Sequence, residues 1–264
     1  MEHEFVSAIV PTIGRAESLS RLLESLAAQS RKPDEVIVAD GSDDQEIQRV
    51  VKHGVWTERG LRVRRIAVQP PNAVRQRCAA IAESSAEYLL LLDDDVVLEP
   101  QCLENMLAAI GTSADVVAVT ADFNNQSWSG PTILWGWYLR WCCGVTEEQW
   151  QGRVIGPLLR FGYNPSPAQS MPMEWLGAGN SLVRRIAYDQ VGGFSDFFLH
   201  RCTMNEDVDL GLKLGRVGRI LLCPMARLAH LHAPEGRVSI GEAAEDDLYN
   251  RFLVMHYKIG RAHV

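Results

Sequence analysis

The run Leu89-Leu90-Leu91-Leu92-Asp93-Asp94-Asp95-Val96 joins a continuous apolar stretch to three adjacent carboxylates. Such charges repel one another, and a divalent cation relieves the repulsion. Oxygen ligands suit Mg²⁺ or Mn²⁺, and either ion can in turn hold a diphosphate. If extended chain continues through the run, residues i and i+2 point the same way, so Asp93 and Asp95 face one cavity together. Without a ligand, the same residues make a solvated acidic turn after a core strand.

Four other places carry residues of the right type. Asp40 closes a second apolar run, Glu35 to Ala39, and either starts an Asp-Gly turn or serves a ligand at the strand end. Arg75 lies in the first turns of a helix capped by Asn72, as a phosphate contact or as a surface arginine. Glu206-Asp207 opens a later helix, where the macrodipole favours carboxylates, whether as caps or as an ionised general base. His230 and His232 are two apart on a late strand and share a face, so one of them can add an imidazole to an acidic metal site.

These residues need a frame. Phe5 to Val10 reads as a strand ending at Pro11, and Leu19, Leu22, Leu23 and Leu26 recur at helical spacing. Leu61 to Val68 alternates imperfectly, Asn72 to Ser84 and Glu99 to Ile110 read as helices, and Val116 to Thr120 as a strand. Strand and helix in alternation predict a mostly parallel sheet covered on both faces. Ligands of such sheets sit beyond the carboxyl ends of the strands, which is where Pro11-Thr12, Asp40 and Asp93 to Asp95 fall.

From Phe123 to Glu174 the periodicity fails, and Trp128, Trp135, Trp137, Trp141 and Trp150 fall there. That segment reads either as a packing insertion or as an aromatic acceptor platform or lid, which also suits a lipid interface. Beyond it, Arg184 to Val191 and a stretch from Asn205 to Gly215 read as helices. Ile220 to Cys223 and Arg227 to Leu231 read as final strands, and Glu242 to Tyr257 as a terminal helix.

The chain has 264 residues, 47% hydrophobic and 22% charged, with a formal net charge of −7. It carries no basic footprint for duplex nucleic acid, so no nucleic-acid partner is expected. A negative protein that binds a nucleotide needs placed arginines, helix N-termini or a metal. The six cysteines form no Cys-x-x-Cys pair, which argues against a zinc knuckle and for buried reduced thiols. Met1-Glu2-His3-Glu4 lacks a basic region before an apolar run, and no stretch reaches the about 20 apolar residues of a membrane span. A cytoplasmic protein is expected, with contact at the inner face of the membrane an option.

Taken in order, these segments resemble glycosyltransferase family 2, the inverting nucleotide-sugar transferases of GT-A fold. The matching pieces are Val6 to Thr12 with Arg15, Glu35 to Asp44, Asn72-Ala73-Val74-Arg75-Gln76-Arg77, and Tyr88 to Val96 as the Asp-x-Asp strand. They continue with Trp175-Leu176-Gly177-Ala178-Gly179-Asn180, Gly192-Gly193-Phe194, Asn205 to Asp209 as the Glu-Asp motif, and Cys223-Pro224 with His230. Gln76 stands where the family usually has Asn.

The resemblance implies an α/β, Rossmann-like, mostly parallel sheet flanked by helices. Residues 1–122 form its nucleotide-sugar half and residues 123–264 its acceptor-side and catalytic half, with the Trp-rich insertion at about 123–174. It implies a UDP- or dTDP-sugar donor held by Pro11, Thr12, Arg15, Asp40, Arg75, Asp93 and Asp94. Asp95 with His230, or His232 as second choice, is to bind Mg²⁺ or Mn²⁺. Asp207 is to act as general base and Glu206 to position hydroxyls, with Trp175, Gly177 and Ala178 lining the sugar side. The acceptor is a glycan or a lipid-linked sugar. Two other readings compete. A nucleotidyltransferase acting on sugar phosphates wants a Gly-rich basic loop where Pro-Thr-Ile-Gly-Arg stands. A non-catalytic sugar-binding protein needs no Asp run and Glu-Asp pair together.

Overall fold

The structure, a computed structural model, describes residues 4–42, 45–126, 132–142, 144, 146, 151–155, 159–160, 167–200, 203–233, 240–254 and 256. The first half runs β1 (Val6–Thr12), α1 (Ala16–Ala27), β2 (Glu35–Asp40), α2 (Gln45–Lys52), α3 (Val55–Glu58), β3 (Val63–Ala67), α4 (Ala73–Ala82), β4 (Tyr88–Leu92), β5 (Val96–Leu98), α5 (Cys102–Ile110) and β6 (Val116–Phe123). The second adds α6 (Ile133–Cys142), β7 (Val154–Ile155), β8 (Leu159–Arg160), β9 (Met171–Met173), β10 (Asn180–Arg184), α7 (Arg185–Gln190), a 3-10 turn (Asp196–Leu199), α8 (Glu206–Leu214), β11 (Arg219–His230) and α9 (Ile240–Val254).

The main sheet has the order β3-β2-β1-β4-β10-β6-β11-β5, with β9 also paired to β11. Strands β1 to β4, β6 and β11 point one way, and β5, β9 and β10 the other. Side-chain alternation explains how both faces are buried. Val6, Ala8 and Val10 of β1 and Leu90 and Leu92 of β4 pack with α1, α2 and α5. Ile9, Leu89 and Leu91 turn to the other face and pack with α4, α7 and α8. An unbroken apolar run is therefore what this strand position requires.

Several boundaries differ from the sequence reading. Strand β4 stops at Leu92, and Asp93 to Asp95 form a turn into β5 rather than extended chain. Strand β10 was not foreseen: Asn180–Arg184 is short and flanked by glycines, yet it fills the gap between β4 and β6 in antiparallel register. The two final strands are one bent strand, β11, with an irregularity between Cys223 and Arg227 at the proline. Cys102 and Cys223 are buried as expected, but Cys142 is exposed; Cys143 and Cys202 lie outside the described residues.

Helix α6 corrects the packing-insertion reading for the tryptophans it carries. Trp135 and Trp137 are 41% and 62% exposed, and Trp141 is exposed as well, while Leu139 is buried. Trp128 and Trp150 lie outside the described residues. No helix among the described residues is long and apolar enough to cross a membrane.

Candidate active site

Parallel register brings the strand tips level. Thr12 pairs with Asp40, and Ile9 with Leu91, so the end of β1 stands beside the turn that follows β4. A cavity of about 890 Å³ opens there. Its strand-tip wall holds Pro11, Thr12, Ile13, Arg15 and Asp93 to Asp95. A second wall comes from Asn72, Ala73, Arg75, Gln76 and Arg77 at the start of α4. The remainder comes from Pro70, Pro71, Leu199, His200, Thr203, Glu206, His230 and Asp246.

The turn gives the three aspartates different tasks. Asp94 points inward, accepting from the Thr12 hydroxyl at 2.6 Å and from Arg15 at 3.0 Å. Burial pushes its carboxyl up to about 6, against the lowering pull of Thr12 and Arg15. It ties the tip of β1 to the end of β4. Asp93 and Asp95 flank it and offer ligand atoms, with His230, within 4.8 Å of one another. The reason is the turn, not strand alternation.

His230 reaches Asp95 because β11 pairs with β5, setting His230 opposite Val96. Its Nε2 lies 3.0 Å from the Asp95 carboxylate. Burial alone would raise the Asp95 carboxyl, but the contacts from His230, the Ala233 N–H and Arg15 outweigh it and hold it below its ordinary value. His232 adopts a left-handed backbone, φ 53°, and its ring lies on that of His230 with centroids 4.0 Å apart. The Gln126 amide nitrogen lies 3.1 Å from a ring nitrogen of each histidine. His230 lines the cavity and His232 is not among its lining residues. Oxygen donors plus one imidazole form a set that Mg²⁺ or Mn²⁺ can accept.

Cations line the opposite wall. Arg75 donates to the Leu199 carbonyl at 2.8 Å, and its buried Nε has no hydrogen-bond partner among the described residues. Gln76 donates to the carbonyls of Thr12 and Ala39, at 2.7 and 2.6 Å, and so stitches β1 to β2. Arg77 is the residue that sequence reading left without a role. It is buried and bridges Asp93 at 2.6 Å to Glu206 at 3.4 Å. A signal existed: Val74, Arg77 and Ile81 share the apolar stripe of α4, and an arginine on such a stripe needs buried acids.

Glu206 begins α8 behind Asn205, whose backbone is left-handed at φ 68°. Burial, with Asp207 beside it, raises the Glu206 carboxyl above its ordinary value despite the Arg77 charge. Asp207 is half-buried, accepts from the Val208 N–H at 2.8 Å, and is not among the lining residues.

Other expected residues stand further off. Asp40 is fully buried at the tip of β2, accepts from Ser42 N–H at 2.8 Å, pairs with Arg65 at 2.7 Å, and is not among the cavity's lining residues. Asp43 and Asp44 lie outside the described residues. Trp175 and Ala178 are buried in the core and, with Gly177, are likewise not among the lining residues. The glycines matter through space: a Cβ on Gly179 would meet an Asp93 carboxylate oxygen at 2.2 Å, and one on Gly177 would meet Asn180 at 2.0 Å. The segment therefore lets Asp93 sit close against the backbone.

Comparison with known proteins bears on this geometry. The model of glycosyl transferase family 2 matches residues 7–158. The chain is 26% identical over 233 residues to the O-antigen biosynthesis protein RfbC of Myxococcus xanthus, across 85% of the chain and 17% of that protein. It is 43% identical over 61 residues to an N-acetylglucosaminyl-diphospho-decaprenol L-rhamnosyltransferase of Mycobacterium tuberculosis, across 22% of the chain and 19% of that protein. The chain thus spans less than a fifth of either relative. The solved structure of GalNAc-T7 with UDP, GalNAc and Mn²⁺ superposes with a TM-score of 0.72 at 13% identity, across 97% of the chain and 48% of that protein. The fold is the GT-A fold expected from the sequence.

Proposed function

The chain belongs to glycosyl transferase family 2, and from that premise we propose that it transfers a sugar from a nucleotide-diphosphate donor to an acceptor hydroxyl, inverting the anomeric centre. The observation that carries the reading is the convergence of Asp93, Asp95 and His230 within 4.8 Å in a cavity that also holds Arg75, Arg77 and Glu206. A scaffold has no use for that convergence.

Asp93, Asp95 and His230 fit a divalent ion by donor chemistry, and Mg²⁺ or Mn²⁺ there would supply positive charge against the leaving diphosphate. Pro11, Thr12 and Arg15 flank the nucleoside, with Asp40 bracing the neighbouring tip. Arg75, on the cavity wall, adds positive charge toward the diphosphate. Arg77 keeps Asp93 and Glu206 at fixed separation. Asp207 takes the proton of the acceptor hydroxyl as that oxygen bonds the anomeric carbon, on the face opposite the breaking bond to the diphosphate. Glu206 positions a sugar hydroxyl.

Glu206 lines the cavity and Asp207 does not, so one specific alternative exists: Glu206 is the base. Glu206→Gln and Asp207→Asn decide it, because the base is the one whose neutral amide abolishes transfer with nucleotide affinity kept. The donor is proposed as a UDP- or dTDP-sugar, and the acceptor as a glycan or lipid-linked sugar. The decaprenol-linked substrate in the name of the rhamnosyltransferase relative supports the latter. A thermal-shift panel of UDP, GDP, dTDP and CMP, each with and without Mn²⁺, tests the class. Stabilisation by one diphosphate only with metal supports it, and no metal-dependent shift with any nucleotide rejects it.

A further inference from the structure

A second cavity, of about 570 Å³, shares two wall elements with the first. The turn Asp196–Leu199 presents Leu199, with His200 after it, to the first cavity, and Asp196 and Phe197 to the second. Helix α9 presents Asp246 to the first, and Tyr249 and Leu253 to the second. At the rise of an α-helix, Tyr249 lies about 4.5 Å and Leu253 about 10 Å along the axis from Asp246. That offset is the reach of one or two pyranose rings.

The lining chemistry selects the ligand. Phe194, Phe197 and Tyr249 supply aromatic surface, and a Cβ on Gly192 would meet nothing within 4 Å, so the wall is open there. Below them Lys213 is 6% exposed; its ammonium donates to the Gly193 carbonyl and, at 3.2 Å, to the Ser195 hydroxyl. Ser195 in turn donates to Asp209 at 2.6 Å, and Asp209 stands 3.8 Å from the lysine. The lysine charge is thus balanced inside its own network, and exposed Asp196 adds a negative charge. An anion gains nothing from this site. Aromatic faces beside the Ser195 hydroxyl and the exposed Asp196 carboxylate suit an uncharged ligand with C–H faces and many hydroxyls, which is a saccharide.

We propose that the second cavity is a subsite for the acceptor glycan, holding a sugar one or two rings away from the hydroxyl that reacts in the first. The acceptor is then an oligosaccharide and not a single sugar. The proposal rests on the transferase reading for what happens in the first cavity, while saccharide binding in the second can be measured without it.

The test uses the full chain with UDP and Mn²⁺, titrated with cellobiose, maltose, mannobiose and N,N′-diacetylchitobiose and with the matching monosaccharides, by saturation-transfer NMR. At least one disaccharide is expected to bind about tenfold more tightly than its monosaccharide, and Tyr249→Ala or Asp196→Asn to remove about that advantage. Both side chains are exposed, Tyr249 by 44%, so both variants fold; Phe197→Ala is avoided because Phe197 packs on Phe198 at 4.4 Å. UDP affinity should stay unchanged in both variants. No disaccharide preference anywhere in the panel, or an unchanged preference in both variants, overturns the subsite. Failure of UDP, dTDP, GDP and CMP alike to bind with Mn²⁺, with the disaccharide preference intact, overturns the transferase reading instead.

Discussion

The strand-tip wall of the main cavity and its helical wall are held by different kinds of bond. On the strand side, Thr12, Arg15 and Asp94 interlock across the tip of β1 and the turn after β4, and Gln76 of α4 braces that side through two main-chain carbonyls. On the helical side, Leu199, His200, Thr203 and Asp246 come from a turn, a connecting segment and α9. Those pieces are joined by longer-range side-chain ties: Asn72 to the Phe198 carbonyl at 3.0 Å, Asn205 to Asp247 at 2.7 Å, and Asn250 to the Met204 carbonyl at 3.0 Å. The difference teaches where variation is cheap. Changing the strand side disturbs the core, whereas the helical side can alter its surface residues without touching the sheet. The proposed function accordingly puts recognition of the nucleotide on the first wall and recognition of the acceptor on the second.

The sharpest way to break this division is at α8, where the proposed base belongs to the helical side. Asp207→Asn should lower transfer on the order of a thousandfold in a radiolabelled-donor assay, the share that a positioned base contributes. If transfer proceeds at the wild-type rate, Asp207 has no catalytic role. Next comes Asp95→Ala on the strand side. Its Mn²⁺ affinity, read by electron paramagnetic resonance, should fall on the order of a hundredfold; unchanged affinity would move the metal site elsewhere.

Arg77 joins the two walls, so its loss should be felt as stability. Orphaning a buried ion pair costs about 3–5 kcal/mol. Glu206 can take up a proton and Asp93 is partly solvated, so Arg77→Met is expected to cost about 2 kcal/mol in urea unfolding. A variant as stable as the parent would show that the bridge is not structural. The smallest effect is expected at α6. Replacing Trp135 and Trp137 together by alanine should raise the acceptor KM about threefold and leave nucleotide affinity alone, as loss of aromatic contact at a partly exposed site implies. An unchanged KM would remove α6 from the acceptor side.

The same two walls explain what could be read from sequence. Buried parallel strands announce themselves as apolar runs, so Leu89 to Leu92 and the acids after them were legible, as were Thr12 and Asp40 at neighbouring tips. The alternation argument still gave the wrong cause for Asp93 and Asp95, because chain direction changes at Leu92 and alternation does not cross a turn. His230 was legible only as a ligand type; its partner follows from the pairing of β11 with β5, which joins residues about half the chain apart. His200, Thr203 and Asp246 carried no local signal at all, because turns and surface helices meet the cavity through tertiary packing. Strand β10 was hidden for a related reason: five residues give too short a period to separate a strand from a glycine-flanked loop.

On the proposed function, one cavity holds the nucleotide through a divalent ion on the strand side while the proton is taken on the helical side. Titration calorimetry of UDP and dTDP, with and without Mn²⁺, addresses it on three proteins: the parent chain, Asp95→Ala and Asp207→Asn. Metal-dependent binding is expected in the parent and in Asp207→Asn, and its loss in Asp95→Ala. Binding that is indifferent to Mn²⁺ in the parent, or kept by Asp95→Ala, would contradict that reading.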